Sequence, residues 1–220
     1  MAEDRANKIL EVLRREFKLP DWWRDTQDPF KTLIRTVISQ STNSRNTARA
    51  FENLSKRFRI SPEVLSKADV KEVEEALRVA GLHRNKARII KKLSNVILER
   101  FEGRLDFVFN APLEKARQIL LELPGVGPKT SDVVLLFSAH KPTLPVDTHV
   151  DRVSKRLALV GARVDYEGVR RSLQQLFSPE DYFAVHVLFI SLGRRFCKAR
   201  KPLCCECPAN ESCPSRRAYA

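Results

Sequence analysis

The sequence predicts an all-α protein, and three observations carry the prediction. Apolar residues recur at helical spacing in almost every segment. Helix-start signals punctuate the chain at short intervals, and strand signals are scarce. Together they imply about ten helices joined by short loops.

In the first segment, MAEDRANKILEVLRREF, residues Ala6, Ile9, Leu10, Leu13 and Phe17 share one helical face. The same stretch is charged from its start and lacks the apolar core and cleavage site of a secretory leader, so a folded helix is expected there. Asp28-Pro29 places a capping residue before a proline at the first position of the run FKTLIRTVISQ. Ala48, Phe51, Leu54 and Phe58 form the apolar stripe of the next helix. Ser61-Pro62-Glu63 opens a short one. Asp69, with Glu72 three residues on, has the shape of a capping box. LDFVF (105–109) is the best strand signal, short and isolated. Ser178-Pro179 repeats the Ser-Pro start toward the C-terminus. Two segments, Leu77–Leu82 and Leu120–Gly125, each end an apolar helix in glycine ahead of a lysine-containing helix, which reads as a repeated turn device.

Composition narrows the partners. Hydrophobic residues at 43% and charged residues at 30% are an ordinary globular balance, and no apolar run is long enough to span a bilayer. The formal net charge of +13 exceeds what folding requires and points to a polyanion, of which nucleic acid is the commonest. A generic solvated basic surface is the plain alternative. All five cysteines crowd into residues 197–213, with Cys205 directly after Cys204. Without a leader, that clustering favours a metal or cluster site in a reducing, cytoplasmic setting over a disulfide scaffold.

The sharpest internal motif is Leu123-Pro124-Gly125-Val126-Gly127-Pro128-Lys129-Thr130, between the helical patterns EKARQILLEL and TSDVVLLFSA. Pro124 stops the first helix. Gly125 and Gly127 permit positive φ and close backbone approach. Val126 is an apolar plug, and Pro128 suits the first turn of the second helix. Amide groups at a helix N-terminus bind phosphate through donors and dipole together. The pattern of a Walker A loop is absent. Lys129 sits where the helix dipole disfavours its ammonium form, so it reads either as an amine nucleophile or as a phosphate contact. Farther on, Asp147 in Leu144-Pro145-Val146-Asp147-Thr148-His149 is flanked by apolar residues. It reads as the cap of the following helix, as a carboxylate that stabilises cationic charge or moves a proton, or as both.

Cys197, Cys204, Cys207 and Cys213 have the spacing C-x6-C-x2-C-x5-C. One compact loop with that spacing can wrap four thiolates around a centre. Structural zinc sites usually show two short knuckles and only one exists here, so the spacing favours a [4Fe–4S] cluster over zinc. Cys205 is left over as a free thiol. Lys198, Arg200 and Lys201 make the loop between the first two ligands a basic finger suited to phosphates.

Together, from about residue 25 to residue 214, these motifs resemble the endonuclease III family of helix-hairpin-helix base-excision glycosylases. Leu-Pro-Gly-Val-Gly-x-Lys-Thr, Val-Asp-Thr-His and the four-cysteine spacing occur in the family's order. The resemblance implies a two-lobed fold. A six-helix barrel would span 25–135, with the helix-hairpin-helix at about 114–139. Residues 1–24 would join 136–220 in a helical domain carrying the cluster loop 197–213. A monomer would bind double-stranded DNA containing a damaged base or abasic site in the groove between the lobes, with the damaged nucleotide flipped out. The cell setting would be the cytoplasm of a prokaryote, with the enzyme held at the nucleoid through DNA.

By resemblance, Lys129 matches the nucleophile and Asp147 the essential carboxylate of a bifunctional glycosylase and abasic-site lyase for oxidised pyrimidines. Gln40 matches the residue that fills the gap left by the flipped nucleotide, and Leu82 the wedge in the stack. His83, Gly125, Val126, Gly127, Thr130, Lys198, Arg200 and Lys201 complete the expected DNA contacts. The chain departs from the family at Pro128, where a basic residue is frequent, at Asp132, where Asn is frequent, at His83, where an aromatic follows the wedge, and at Asn43, where Asp is common. Those positions bear on lesion preference. A mismatch thymine or uracil glycosylase is the rival enzyme, and a non-catalytic DNA-binding module with a structural cluster is the rival of another class.

Overall fold

A computed structural model describes residues 2–20 and 28–218. Among the described residues there is no strand, and twelve α-helices are joined by short turns. The chain divides into two compact units, Thr26–Lys141 and a second made of Met1–Asp25 with Pro142–Ala220. The expected boundary at residues 24–25 lies outside the described residues.

The Thr26–Lys141 unit holds α2 (Pro29–Ser39), α3 (Ser44–Arg57), α4 (Pro62–Lys67), α5 (Val70–Ala76), α6 (His83–Phe101), α7 (Phe107–Asn110), α8 (Leu113–Leu121) and α9 (Pro128–Ala139). Its helices start where the capping residues stand. Asp28 Oδ1 accepts from the Phe30 and Lys31 amides, and Asp69 Oδ1 from the Lys71 and Glu72 amides. Ser61 precedes α4 without capping it through its side chain. Long α6 runs through the core, burying Ala87, Ile90, Leu93 and Ile97 at helical spacing against α4, α5 and α2. Phe107, Val108 and Phe109 of the LDFVF segment lie in α7 rather than in a strand. Leu105 and Val108, three residues apart, are the segment's buried positions, so the spacing that closes a core here is that of a helical turn.

The other unit holds α1 (Ala2–Glu16), α10 (Thr148–Arg156), α11 (Tyr166–Leu176) and α12 (Tyr182–Arg195), followed by the cysteine loop and short 3-10 turns. Apolar on most of its circumference, α12 packs against α10 and α1. Gly193 lets α10 come close, because a Cβ there would sit 2.8 Å from His149 Nδ1. Arg5 of α1 donates to the Leu157, Ala158 and Ser212 carbonyls, tying α1 to the end of α10 and to the cysteine loop.

Candidate nucleic-acid interface and cysteine cavity

In the Thr26–Lys141 unit, α8 and α9 form the predicted hairpin. Gly125 has φ +77, and a Cβ there would lie 2.5 Å from Ile89 Cγ2 of α6, so both conformation and space demand glycine. Gly127 differs from the sequence reading. Its φ of −101 is extended backbone open to any residue, and a Cβ there would meet nothing within 4 Å. What Gly127 supplies is open space at the mouth of α9, next to the first-turn amides that a helix leaves without intrahelical partners. Val126 is buried in the core and donates its N–H to Leu123 O at 3.1 Å, which makes it the expected plug. Lys129 stands half-buried in the first turn of α9, and Thr130 beside it is buried.

Asp132 is one of the departures from the family pattern. It is fully buried, with Oδ1 2.8 Å from Arg117 Nε and Oδ2 3.4 Å from Arg117 Nη2. The departure at this position therefore staples α8 to α9 by a fork-like ion pair. Gln40 ends α2 and donates from Nε2 to the Gly125 carbonyl at 3.1 Å, which brings the expected gap-filling amide to the hairpin. Leu82 is 62% exposed with φ +47, an apolar side chain displayed from left-handed backbone at the start of α6. His83, half-buried, follows it.

In the other unit, Asp147 caps α10. Its Oδ1 accepts from the His149 and Val150 amides, each at 2.8 Å. The approach to Asp147 is fixed by three contacts. Val146 donates its N–H to Tyr166 Oη, His186 Nδ1 donates to Pro145 O at 2.8 Å, and Gln174 Nε2 donates to Pro142 O at 3.0 Å. Burial pushes His149 below the ordinary imidazole range, the Asp147 carboxylate opposes that shift, and Arg152 and Arg194 add to it. Arg152 donates to His149 Nδ1 at 3.0 Å, to Gly193 O, and to Cys197 O at 2.9 Å. One helix thus connects the carboxylate to the cysteine loop.

Cys197, Cys204, Cys207 and Cys213 all line one cavity with Leu192, Phe196 and Arg156, while Cys205 stands exposed outside it. Among the described residues, no three His, Cys, Asp or Glu side chains gather closely enough to hold a single metal ion; the thiols are spread around the cavity wall. Burial, with smaller contributions from neighbouring thiols, raises Cys204 and Cys213 and pushes Cys207 up to about 11. Four thiolates at this site need a cationic centre to offset both costs. Arg156 pins the basic finger, donating to Lys198 O at 2.7 Å and Ala199 O at 3.1 Å, and leaves Lys198, Arg200 and Lys201 exposed. The sequence reading missed Arg152 and Arg156. Their four-residue spacing puts them on one face of α10, but nothing in the sequence says that the face meets the loop.

Residues 34–179, the hairpin and the Asp147 cap included, match the HhH-GPD superfamily of base excision DNA repair proteins. The chain belongs to this superfamily. Its class is accordingly base excision DNA repair. Endonuclease III of Sulfolobus acidocaldarius is 34% identical over 96% of each chain, and the thymine-DNA glycosylase of Aeropyrum pernix is 30% identical over 93% of this chain and 94% of its own. Among HhH-GPD structures, a trapped endonuclease III–DNA covalent intermediate, an estranged-adenine complex, superposes with a TM-score of 0.84. It is 30% identical and matches over 98% of this chain and 97% of its own. No helix among the described residues is long and apolar enough to cross a membrane.

Proposed function

We propose that the chain excises oxidised pyrimidines from duplex DNA and cleaves the resulting abasic site, with Lys129 as nucleophile and Asp147 as the supporting carboxylate. The observation that carries the reading is Lys129 in the first turn of α9, two residues after the open mouth at Gly127. A backbone phosphate held at that mouth brings the adjoining sugar to the lysine. The neutral amine of Lys129 attacks C1′, the N-glycosidic bond breaks, and the base leaves with the bonding pair and a proton. The C1′–O4′ bond of the amine-linked sugar then breaks, O4′ taking up a proton as the lysine nitrogen loses one, and the ring-opened Schiff base makes the C2′ proton acidic. Its loss expels the 3′-phosphate by β-elimination, and water then releases the amine. Asp147 stabilises cationic charge at C1′ and carries protons, a role suited to a carboxylate whose orientation is fixed by two backbone amides. The trapped covalent intermediate of the endonuclease III relative supports the covalent route.

Gln40 and Leu82 enter the base stack, flanked by His83. Gly125, Val126, Gly127 and Thr130 present the hairpin to one phosphate stretch, and Lys198, Arg200 and Lys201 contact another. Cys197, Cys204, Cys207 and Cys213 hold a [4Fe–4S] cluster, which suits thiols spread around a cavity wall better than a single zinc ion does. When bound, it supplies the cationic centre that fixes the basic finger. Purified protein is expected to be yellow-brown with about four iron and four sulfide per chain. Stoichiometric zinc without iron after anaerobic purification overturns that assignment.

The similarity to a thymine-DNA glycosylase favours one second reading, a mismatch glycosylase on the same scaffold. A panel of duplexes, each with one oxidised pyrimidine, abasic site or T/G or U/G mismatch, decides. Strand cleavage at oxidised pyrimidines supports the first reading. Base release confined to mismatches, without strand cleavage, supports the second.

A further inference from the structure

Lys86, on the first turns of α6, is 2% exposed and is among the largest fully buried side chains of the chain. An ammonium group loses much of its hydration on burial, and no carboxylate among the described residues repays it. Its partners are instead Thr42 Oγ1 at 2.6 Å and the Ala80 carbonyl at 2.9 Å. Thr42 Oγ1 itself donates to Ala80 O, so lysine and threonine converge on one carbonyl. The two segments joined in this way are both in left-handed backbone. Ser41 has φ +52 on one side, and Gly81 and Leu82 have φ +65 and +47 on the other. One segment directly follows Gln40, and the other ends on exposed Leu82. Gln40 is in turn bonded to the hairpin carbonyl of Gly125. Hydrogen bonds at Gln40 and at Thr42, two residues apart in the chain, therefore link the hairpin to the turn that displays Leu82.

We propose that Lys86 is a positioning residue which, by donating at once to Thr42 and Ala80, locks the Gln40 turn and the Leu82 turn into one rigid body that enters a duplex in fixed register. The inference rests on the reading above that Gln40 and Leu82 enter the base stack. An untethered pair of turns would have to order on the DNA, and that cost would appear as weaker lesion binding. A mere core lysine would affect stability alone.

The experiment places 2-aminopurine opposite a tetrahydrofuran abasic analogue and follows its fluorescence as protein is added, since an unstacked 2-aminopurine brightens. Wild type raises the signal. Lys86→Met, still folded by circular dichroism, is expected to bind undamaged duplex normally, to lose most of the fluorescence rise, and to show a KM on abasic DNA raised about tenfold, with the saturated rate little changed. Lys86→Arg restores part of the signal, Thr42→Val reproduces the loss, and Leu82→Ala shows the same dim signal. Folded Lys86→Met with wild-type fluorescence and KM overturns the proposal. Should Lys86→Met fail to fold, Thr42→Val decides by the same two readouts. A wild-type protein that neither brightens the probe nor forms a borohydride-trapped adduct overturns the functional reading itself, and the role of Lys86 falls with it.

Discussion

Asp147 does two jobs in this account, and two substitutions separate them. Its Oδ1 accepts the His149 and Val150 amides at 2.8 Å each, and the carboxylate charge lies at the positive end of α10. Asp147→Ala removes the acceptor and the charge together. The lost cap costs about 1–2 kcal/mol, which in a chain of this size lowers the melting temperature by about 2–8 °C. Asp147→Asn keeps an acceptor oxygen in the same place. It loses only the charge–dipole attraction, about 0.3–1 kcal/mol. The two variants should therefore melt at different temperatures, with Asn close to wild type. Their chemistry should not differ in that way, because each lacks a carboxylate. Single-turnover base release is expected to fall by about 10²–10⁴ in both. Thermal denaturation by circular dichroism and a quench assay on lesion-containing duplex read the two effects independently. Asp147→Asn that releases base within a few-fold of wild type would falsify the chemical role. Asp147→Asn that melts as low as Asp147→Ala would refute the capping geometry.

Further outcomes follow from other contacts. Gly125→Ala meets both a positive φ and Ile89, so it should cost about 1–2 kcal/mol or more; Gly127→Ala should leave stability within about 0.5 kcal/mol while weakening duplex binding, because its methyl occupies the open mouth. Equal loss of stability in the pair contradicts the geometry. Arg117→Met leaves the fully buried Asp132 carboxylate without that guanidinium and should cost about 3–5 kcal/mol, much of it recovered in Arg117→Met/Asp132→Leu; urea titration checks this, and a cost below about 1 kcal/mol contradicts it. Because the folded state holds His149 below the ordinary value of about 6.5, the unfolded chain takes the proton first, and this contribution to stability is present above that value and lost as pH falls through it. His149→Gln should accordingly show a shallower loss of urea midpoint between about pH 7.5 and 5.5 than wild type, and an unchanged slope counts against the shift.

Much of the helical order was legible because capping chemistry is local. Asp28 and Asp69 each announce a helix by residue type, and their carboxylates accept the amides that the pattern requires. The shortest helices were not, since α7 has four residues and too little length for periodicity; its apolar run looked extended until Leu105 and Val108 turned to one core. Pairings distant in sequence were hidden for a different reason. Asp132 and Arg117 stand on separate helices, so their ion pair exists only once the hairpin folds. Nothing in residue type or spacing separates Lys86 from Lys91 and Lys92 of the same helix, and only burial reveals its tether. The hairpin itself was legible, but the division of labour within it was not: positive φ belongs to Gly125 alone, and Gly127 contributes space. The sequence also placed the four cysteines together, yet not the arginines of α10 that pin their loop.

The central claim, that Lys129 becomes covalently bonded to the sugar, is tested most directly by borohydride reduction during reaction with DNA carrying an abasic site. Reduction turns the Schiff base into a stable secondary amine, and a denaturing gel then shows protein joined to DNA. Wild type is expected to form the adduct, Lys129→Ala to lose it, and Lys198→Ala to retain it. An adduct that persists in Lys129→Ala, or no adduct from a wild-type protein that binds the same DNA, contradicts the claim.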